Sequence, residues 1–584
     1  MNRPAEKMTE DMTLNDLLRD AGVNDDYGFA KEILIHPDRI PEPHQVKNLN
    51  RLLVHMYWGL FDEPGTMKTL PAQAWALYLM GHGQRVLAVM PPVVLDQFVE
   101  ALHYTFIGSE VFPVHILDQG PYPVRVSKKR VQDVKAALFQ NQSVADVPAE
   151  MLKVIDNMPV AAPIPFTDYE IDRVRKTKGE ITAKAMAAEM GCSANAIATL
   201  RGQDCREDLY ARWRANDSWP SMLLMSYQMF HRVAHEVQDA YRVLIADEAH
   251  ALCHPSSGTW KKVRRMLRSN GGNTAFVPMT GTPMPNVVTD SYGLIKLLNP
   301  KAYGSYADFE SVHCDFVNVE DNNGKQFRIL TGYRNLDMMR INLFAKASRV
   351  TKEQVFTMEK PSIFERDIHL SKEHQAVYRR LVRDRVLEVN EEVVSAIQAQ
   401  SLRQKAARMV VCPEPFTDKA IKVNAVRDSL AELLDELGAA HQEKLLIFGI
   451  YNQSIEAMAE WFKELNPALV YGKSNSKKNV KKFLNDDSCR LMIAHYKSGG
   501  VGLNLQDVCR YVICVEPTSV PGDFLQAVER VYRKGQKRHV TFYIFRVLAT
   551  VWPKMVDSMR GKMQLTKNVQ MDKSEMLSEL LGEN

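Results

Sequence analysis

Arg242-Val-Leu-Ile-Ala-Asp-Glu-Ala-His250 is the stretch whose reading decides the fold of this chain. Val243–Ala246 is a short apolar run of the kind that forms a strand buried on both faces of a parallel sheet. It ends in two adjacent carboxylates, Asp247 and Glu248. Ligands of open α/β sheets bind outside the C-terminal ends of the strands, so this spacing predicts a nucleotide site. Asp247 can hold Mg²⁺ directly or through water, and Glu248 can orient or deprotonate an attacking water. An Asp-Glu pair also closes ordinary strands, so the assignment requires a phosphate loop upstream.

Such a loop is present. Phe61-Asp-Glu-Pro-Gly-Thr-Met-Lys-Thr69 runs into the helix-compatible Leu70–Met80. Backbone N–H groups around Gly65, Thr66 and Met67 can cradle phosphates. Lys68 can reach the β/γ-phosphates, and Thr69 can join Asp247 in ligating Mg²⁺. A phosphate loop ordinarily carries Gly immediately before the Lys, and this chain carries Met67. Met is ill at ease at positive φ. The loop is therefore expected to keep an ordinary backbone there, with the thioether turned away from the nucleotide and ATP still bound. Further upstream, Gln45 follows Pro41-Glu-Pro-His and precedes the helical pattern Val46–Leu60. Its amide can read an adenine edge by donating one hydrogen bond and accepting another; taken alone, such a residue is more often a surface glutamine.

The 584 residues suggest three or four structural units, with 45% hydrophobic and 25% charged residues, an ordinary globular composition. The net charge of +4 permits a nucleic-acid partner but requires any basic surface to be local. The 8 cysteines contain no Cys-x-x-Cys pair, which fits a reducing cytoplasm better than disulfides or a zinc site. No apolar run is long enough to span a membrane, and Met1–Leu18 is too polar for a signal peptide. The expectation is a cytoplasmic monomer.

The remaining chain fills in an α/β pattern. Residues 1–40 read as a helical lead-in and 41–300 as a first parallel-sheet lobe. Residues 301–440 read as a helical inter-lobe region, 441–560 as a second lobe and 561–584 as a tail. Arg85–Met90 and Leu223–Tyr227 are further strands of the first lobe, separated by an insertion over roughly 120–220. Within it, 166–203 has helix-turn-helix spacing: Ala187 at the crossing, Gly191 in the turn, Ile197 and Leu200 on the inner face. Ser193, Asn195, Thr199 and Arg201 would then face outward, chemistry suited to base edges or phosphates. Phe166–Arg206 holds seven basic and six acidic residues, so a protein-docking bundle stays open as the alternative. Lys261, Lys262, Arg264, Arg265 and Arg268 crowd one helix, either a solvated face or a phosphate-tracking surface. Ala275–Met279 is a strand ending at Thr280-Gly-Thr-Pro-Met-Pro-Asn286, whose hydroxyls can sense a γ-phosphate.

In the second lobe, Lys444–Gly449, Arg490–Ala494 and Tyr511–Val515 read as strands. Ser498-Gly-Gly-Val-Gly-Leu-Asn-Leu-Gln506, containing Gly502, can bring backbone close to a ligand. In Gln526-Ala-Val-Glu-Arg-Val-Tyr-Arg-Lys-Gly-Gln536, Arg530 and Arg533 are spaced i,i+3, which predicts one shared helix face. Two guanidiniums so placed can reach across a cleft to a γ-phosphate.

With these motifs in hand, the chain resembles the Swi/Snf-type ATPases of helicase superfamily two. The resemblance runs from Gln45 to about Thr550, interrupted by the insertion. It rests on Asp62…Lys68-Thr69, the Asp247-Glu-Ala-His250 box, Thr280–Asn286, Gly499–Leu505 and Gln526…Arg530…Arg533…Gln536. The resemblance implies two RecA-like lobes, ATP and Mg²⁺ bound between them, and translocation on double-stranded DNA. It departs at Met67 and at Ala251-Leu-Cys-His-Pro255, where the family has a glycine and a basic segment. The inserted module points to a phage or prokaryotic member, nucleoid-associated, with a replication, recombination or transcription protein as a further partner. Two alternatives stay open: a strand-separating or fork-reversing helicase, and a catalytically weak DNA-binding scaffold built around the helix-turn-helix.

Overall fold

The computed structural model describes residues 12–117, 213–214, 217–269, 272–320, 326–356, 359–389, 396–414, 423–439, 443–472, 474, 476–496 and 505–570. Two all-parallel sheets dominate these residues. The first lobe contains β1 (Gly59–Leu60), β2 (Val86–Met90), β3 (Val114–Leu117), β4 (Met222–Ser226), β5 (Val243–Asp247), β6 (Ala275–Met279) and β7 (Ala347–Ser348). Its seven strands lie in the order β7-β1-β6-β5-β2-β4-β3. The second contains β8 (Ser362–Ile368), β9 (Lys444–Gly449), β10 (Ala468–Val470), β11 (Leu491–His495), β12 (Cys509–Cys514) and β13 (Thr541–Val547). Its six strands are ordered β8-β13-β12-β9-β11-β10.

Alternation along the strands explains why both faces are covered. Leu87, Val89, Leu223, Met225, Leu244 and Ala246 enter one core of the first lobe. Val86, Ala88, Met90, Met222, Leu224, Val243 and Ile245 enter the other. A period of two along apolar strands sends neighbours to opposite faces, so both faces demand helices. In the second lobe Leu445 and Ile447 face one core, and Leu446 and Phe448 the other. Each fully buried aliphatic side chain contributes about 1.5–3 kcal/mol, so these strands form the rigid base on which the loops sit.

The helices that matter for the site are α1 (Pro43–Val54), α2 (Thr69–Gly81), α3 (Tyr227–Val237) and α4 (Gly258–Arg268) in the first lobe. Later in the chain α5 (Leu336–Phe344) and α6 (Lys352–Val355) still belong to the first lobe, and α7 (Pro521–Val528) and α8 (Trp552–Gln570) follow in the second. α2 buries Leu70, Ala72, Ala74, Trp75, Ala76, Leu77 and Met80, so it is apolar nearly all round and works as a core helix. That burial holds the phosphate loop at its start.

Two of the expected boundaries are corrected. The stretch 301–440 is not simply helical: it supplies β7 to the first sheet and β8 to the edge of the second, plus the hairpin Cys314–Glu320/Gln326–Tyr333. A two-residue strand such as β7 has no periodicity to read, and only its pairing with Gly59 and Leu60 defines it. Nor do residues 561–570 form a tail. They complete the 19-residue α8, which starts in a core of the second lobe at Trp552. It ends with Val569 among Met339 and Leu343 of α5 in the first lobe's core. The 120–220 insertion leaves after β3 and returns before β4, which are parallel neighbours; the helix-turn-helix expected at 166–203 lies outside the described residues.

Candidate nucleotide site between the lobes

The phosphate loop joins β1 to α2 and is anchored by side chains from α1. Asn48 Nδ2 donates to Asp62 Oδ2 (2.5 Å). His44 Nε2 lies 2.9 Å from the Thr66 carbonyl, and Gln45 Nε2 donates to the Met67 carbonyl (2.9 Å). Gln45 Oε1 meanwhile accepts the Glu42 N–H (2.8 Å). Both ends of the Gln45 amide thus brace backbone, while the residue also lines the cleft. Its i,i+3 relation to Glu42 closes a capping box at the start of α1. Lys68 folds back into the loop, its ammonium donating to the Asp62 (2.8 Å) and Glu63 (3.1 Å) carbonyls. Thr69 is the first residue of α2, where N–H groups lack helical partners and favour anions.

Met67 overturns one expectation. Its φ is +60°, in the left-handed region, and Gly65 stands at +87°. Met67 also lines the inter-lobe cleft. The loop therefore imposes on Met the conformation that glycine adopts freely. Carbonyls on both sides are pinned by His44, Gln45 and Lys68, and Lys68 must already be helical (φ −54°, ψ −25°) to start α2. Tertiary anchoring overrides the residue's preference, at a cost of about 1–2 kcal/mol. Met67→Gly is accordingly expected to raise the melting free energy by about 1 kcal/mol and to leave ATP affinity equal or better. Thermal denaturation and equilibrium nucleotide binding check this; a destabilised loop would show that the thioether packs it in place.

β5 lies two strands from β1 and delivers the acidic pair beside the loop. Asp247 is the last strand residue, and its Oδ1 accepts the Glu248 N–H (2.9 Å). Glu248 turns at φ +49°, and His250 Nδ1 comes within 3.2 Å of its Oε2. Burial, and then the Glu248 charge, push the Asp247 carboxyl up. Burial also works against the Glu248 charge, but the His250 hydrogen bond and charge, helped by Lys68 and Arg530, outweigh it and hold Glu248 low. His250 is raised in turn: burial opposes its charge, and Glu248 more than offsets that. Two adjacent half-buried carboxylates, lining the same cleft as Thr69, form an oxygen donor set that fits a divalent cation such as Mg²⁺.

The Thr280–Asn286 segment ties this loop to the second lobe. Thr280 N–H donates to the Leu60 carbonyl (3.1 Å). Gly281 packs so tightly on the loop that a Cβ there would lie 2.1 Å from Pro64 Cγ and Cδ. On its other side, Gly522 N–H of α7 donates to the Pro285 carbonyl (2.6 Å), and Lys562 of α8 donates to Asn286 Oδ1 (2.8 Å). Gly281→Ala is expected to force the two loops apart, costing about 1–3 kcal/mol of stability and weakening ATP binding. An unchanged melting temperature and ATP affinity would show that the packing can relax freely.

From the second lobe, Glu529, Arg530 and Arg533 complete a cleft of about 850 Å³ with Lys68, Thr69, Asp247 and Glu248. The shared helix face expected for the two arginines is not observed: α7 ends at Val528. Tightened i→i+3 bonds, Arg530 N–H to Ala527 O and Val531 N–H to Val528 O (both 3.3 Å), carry the chain on as turns. Arg530 Nε donates to the Gln526 carbonyl (3.0 Å). Burial lowers the Arg530 pKa, opposed by Glu529 and Glu248; burial and then Arg530 lower that of Arg533. Closely spaced guanidiniums held against a cleft favour a multiply charged anion.

Sequence reading did not single out Asn48, His44, Arg349, Lys352 or Glu529, which act across the loop or across the lobes. Gly502 and the outward helix-turn-helix residues Ser193, Asn195, Thr199 and Arg201 lie outside the described residues. On α4, Lys262 turns onto the His231 carbonyl, while Lys261, Arg264, Arg265 and Arg268 line a groove of about 550 Å³. The described cysteines at 253, 314, 412, 489, 509 and 514 are buried and free. Among the described residues no helix is long and apolar enough to cross a membrane.

Fold and site together define a two-lobed, RecA-like core with a phosphate loop on one lobe and arginines on the other. Family models match much of it: the SNF2-related domain over residues 213–416, beginning after the phosphate loop, and the helicase conserved C-terminal domain over 427–535. The chain belongs to the Swi/Snf-type ATPases of helicase superfamily two. It is 24% identical over 392 residues to a DNA repair and recombination protein RAD54-like of Drosophila ananassae, covering 60% of this chain and 48% of that protein. It is 24% identical over 318 residues to an uncharacterized ATP-dependent helicase of Mycoplasma pneumoniae, covering 53% of this chain and 28% of that one. The chain thus spans half or less of these relatives' length. A solved structure, the Sulfolobus solfataricus SWI2/SNF2 ATPase core in complex with dsDNA, aligns over 93% of this chain and 95% of its own. Identity there is 18% and the TM-score 0.32, so the fold assignment rests on the two sheet orders instead.

Proposed function

We propose that this protein is an ATP-driven translocase on double-stranded DNA that remodels protein–DNA complexes or branched DNA. The observation that carries the reading is the single cleft in which Lys68, Asp247 and Glu248 of one lobe meet Arg530 and Arg533 of the other. In it Lys68 and the start of α2 hold the phosphates of ATP, Thr69 and Asp247 hold Mg²⁺, and Glu248 orients the attacking water. The arginines counter transition-state charge once the lobes close. Gln45 lies on the same cleft, its amide bracing the loop. A motor that alternates between open and closed lobes turns each hydrolysis into a step along its track.

DNA as that track is supported by the relatives' names, which include DNA repair and recombination proteins, and its double-stranded form is part of the proposal. The basic groove on α4 offers an unsequenced phosphate contact. In this reading Ser193, Asn195, Thr199 and Arg201 of the inserted module add a second DNA contact. The chain re-enters the first lobe at Trp213, whose ring is tilted against Trp219 (centroids 5.2 Å apart), with Arg214 paired to Glu236 at the end of α3. Removing Phe166–Arg206 with a short linker is expected to weaken DNA binding while basal ATP hydrolysis persists. Titrations at several salt concentrations check this, and unchanged affinity would assign the module to protein docking.

The deciding experiment is ATP hydrolysis with duplex, single-stranded and forked DNA. Duplex stimulation without strand release is the expected result. Fork-specific strand release would replace it with the helicase reading, and no turnover would leave a DNA-binding scaffold.

A further inference from the structure

Lys352 carries a buried charge that none of the roles above uses. It is only 6% exposed, and it opens α6 behind the capping box of Thr351 and Gln354. Its backbone belongs to the first lobe. Ala347 and Ser348 pair with β1, and the Glu63 N–H donates to the Val350 carbonyl (2.8 Å). The Lys352 N–H donates to Glu63 Oε2 (3.1 Å), while Arg349 holds the other carboxylate oxygen at 3.4 Å.

Its ammonium belongs to the second lobe. Nζ donates to the Tyr532 carbonyl (3.1 Å) and lies 5.0 Å from the centre of the Tyr532 ring. Tyr532 sits between Arg530 and Arg533 in sequence. A Cβ on Gly65 would come 3.6 Å from Lys352 Cε and 3.7 Å from Arg533 Cβ, so phosphate loop, lysine and arginine converge. Glu529 and then Glu63 are the main carboxylates favouring the ammonium's charge against its burial. Burial pushes the Glu529 carboxyl up to about 7, with Lys352 the leading opposing influence.

An ammonium buried this deeply is stable only while its partners surround it. Apart from Glu63 and the neighbouring Glu353, those partners are on the second lobe, so opening the cleft strips away the Tyr532 carbonyl and Glu529. We propose that Lys352 is a positioning residue that pins the Arg530–Arg533 segment against the phosphate loop, making lobe closure and arginine placement a single event. The proposal rests on the ATPase reading above. Lys352 does not line the cleft itself; it acts through Tyr532 and Glu529. Small displacements of groups that stabilise a transition state cost turnover more than ground-state binding.

The test uses the full chain with duplex DNA and two variants, Lys352→Met, which keeps length without charge, and Lys352→Arg, which keeps charge. Lys352→Met is expected to lower kcat by about 10–100-fold with ATP affinity changed by less than about threefold, and Lys352→Arg to recover most of the loss. Closure is read separately by energy transfer between dyes on the two lobes, in a Glu248→Gln background with ATP present. The closed population is expected to fall in Lys352→Met. Should that variant fail to fold, Glu529→Gln removes the partner charge instead and is expected to show the same loss in kcat and closure. Unchanged kcat, or a loss confined to KM, in a folded variant overturns the pin. Absence of hydrolysis in the unmutated protein overturns the ATPase reading alone, because ATP-dependent closure still decides the pin: closure unaffected by Lys352→Met rejects it.

Discussion

Glu248→Gln is expected to lower DNA-stimulated ATP turnover by about 10²–10⁴-fold while ATP still binds. Glu248 is the ionised member of the acidic pair, held so by His250 at 3.2 Å and by the Lys68 and Arg530 charges. Gln keeps the shape and loses the charge that aligns a water's proton for removal. The β5 strand beneath it is unaffected, since Val243, Leu244, Ile245 and Ala246 provide the burial. Steady-state hydrolysis with duplex DNA, set beside equilibrium ATP binding and a melting curve, separates chemistry from folding. Near-normal turnover would show that the pair is structural and would remove the central support of the ATPase reading.

Arg530→Ala carries the other large effect, a loss of about 10³–10⁵-fold in kcat if the guanidinium stabilises the transferring phosphoryl group. Its side chain is buried beside Glu248 and Glu529 in the cleft, and its backbone carbonyl accepts the Leu505 N–H (3.0 Å). The backbone bond survives substitution; the charge does not. ATP affinity is expected to change far less, because Lys68 and the loop hold the ground state. Arg530→Lys keeps a charge but not the planar fork, so only partial recovery is expected. A loss of ATP affinity with normal kcat would instead place Arg530 in ground-state binding. Arg533→Ala should follow the same pattern.

The two predictions rest on features of unequal legibility. Val243–Glu248 could be read because a strand buried on both faces must be continuously apolar, and because carboxylates at its end stand out against that run. Lys68 and Thr69 could be read because a phosphate-binding helix start needs a cation and a hydroxyl at fixed offsets. The pairing of Arg530 with Arg533 was visible, yet their common helix was not found, because i→i+3 bonds at Arg530 and Val531 interrupt the helical ladder after Val528, leaving an isolated i→i+4 bond from Tyr532 N–H to the Val528 carbonyl.

Local pattern, then, determined the two α/β lobes, the strands that carry the site, and most of the charged groups in it. It did so because those features repeat with the period of a strand or sit a fixed number of residues from one. Only the tertiary structure decided the rest. It set Met67 at φ +60° against its own preference, since His44 and Gln45 reach the loop from 22 residues away. It drew β7 into the first sheet and carried α8 from one lobe's core into the other's. It also placed the Lys352 ammonium on Tyr532, 180 residues further along the chain. Contacts at such separations leave no periodic trace, because each partner's local sequence is compatible with many surroundings and only packing selects one.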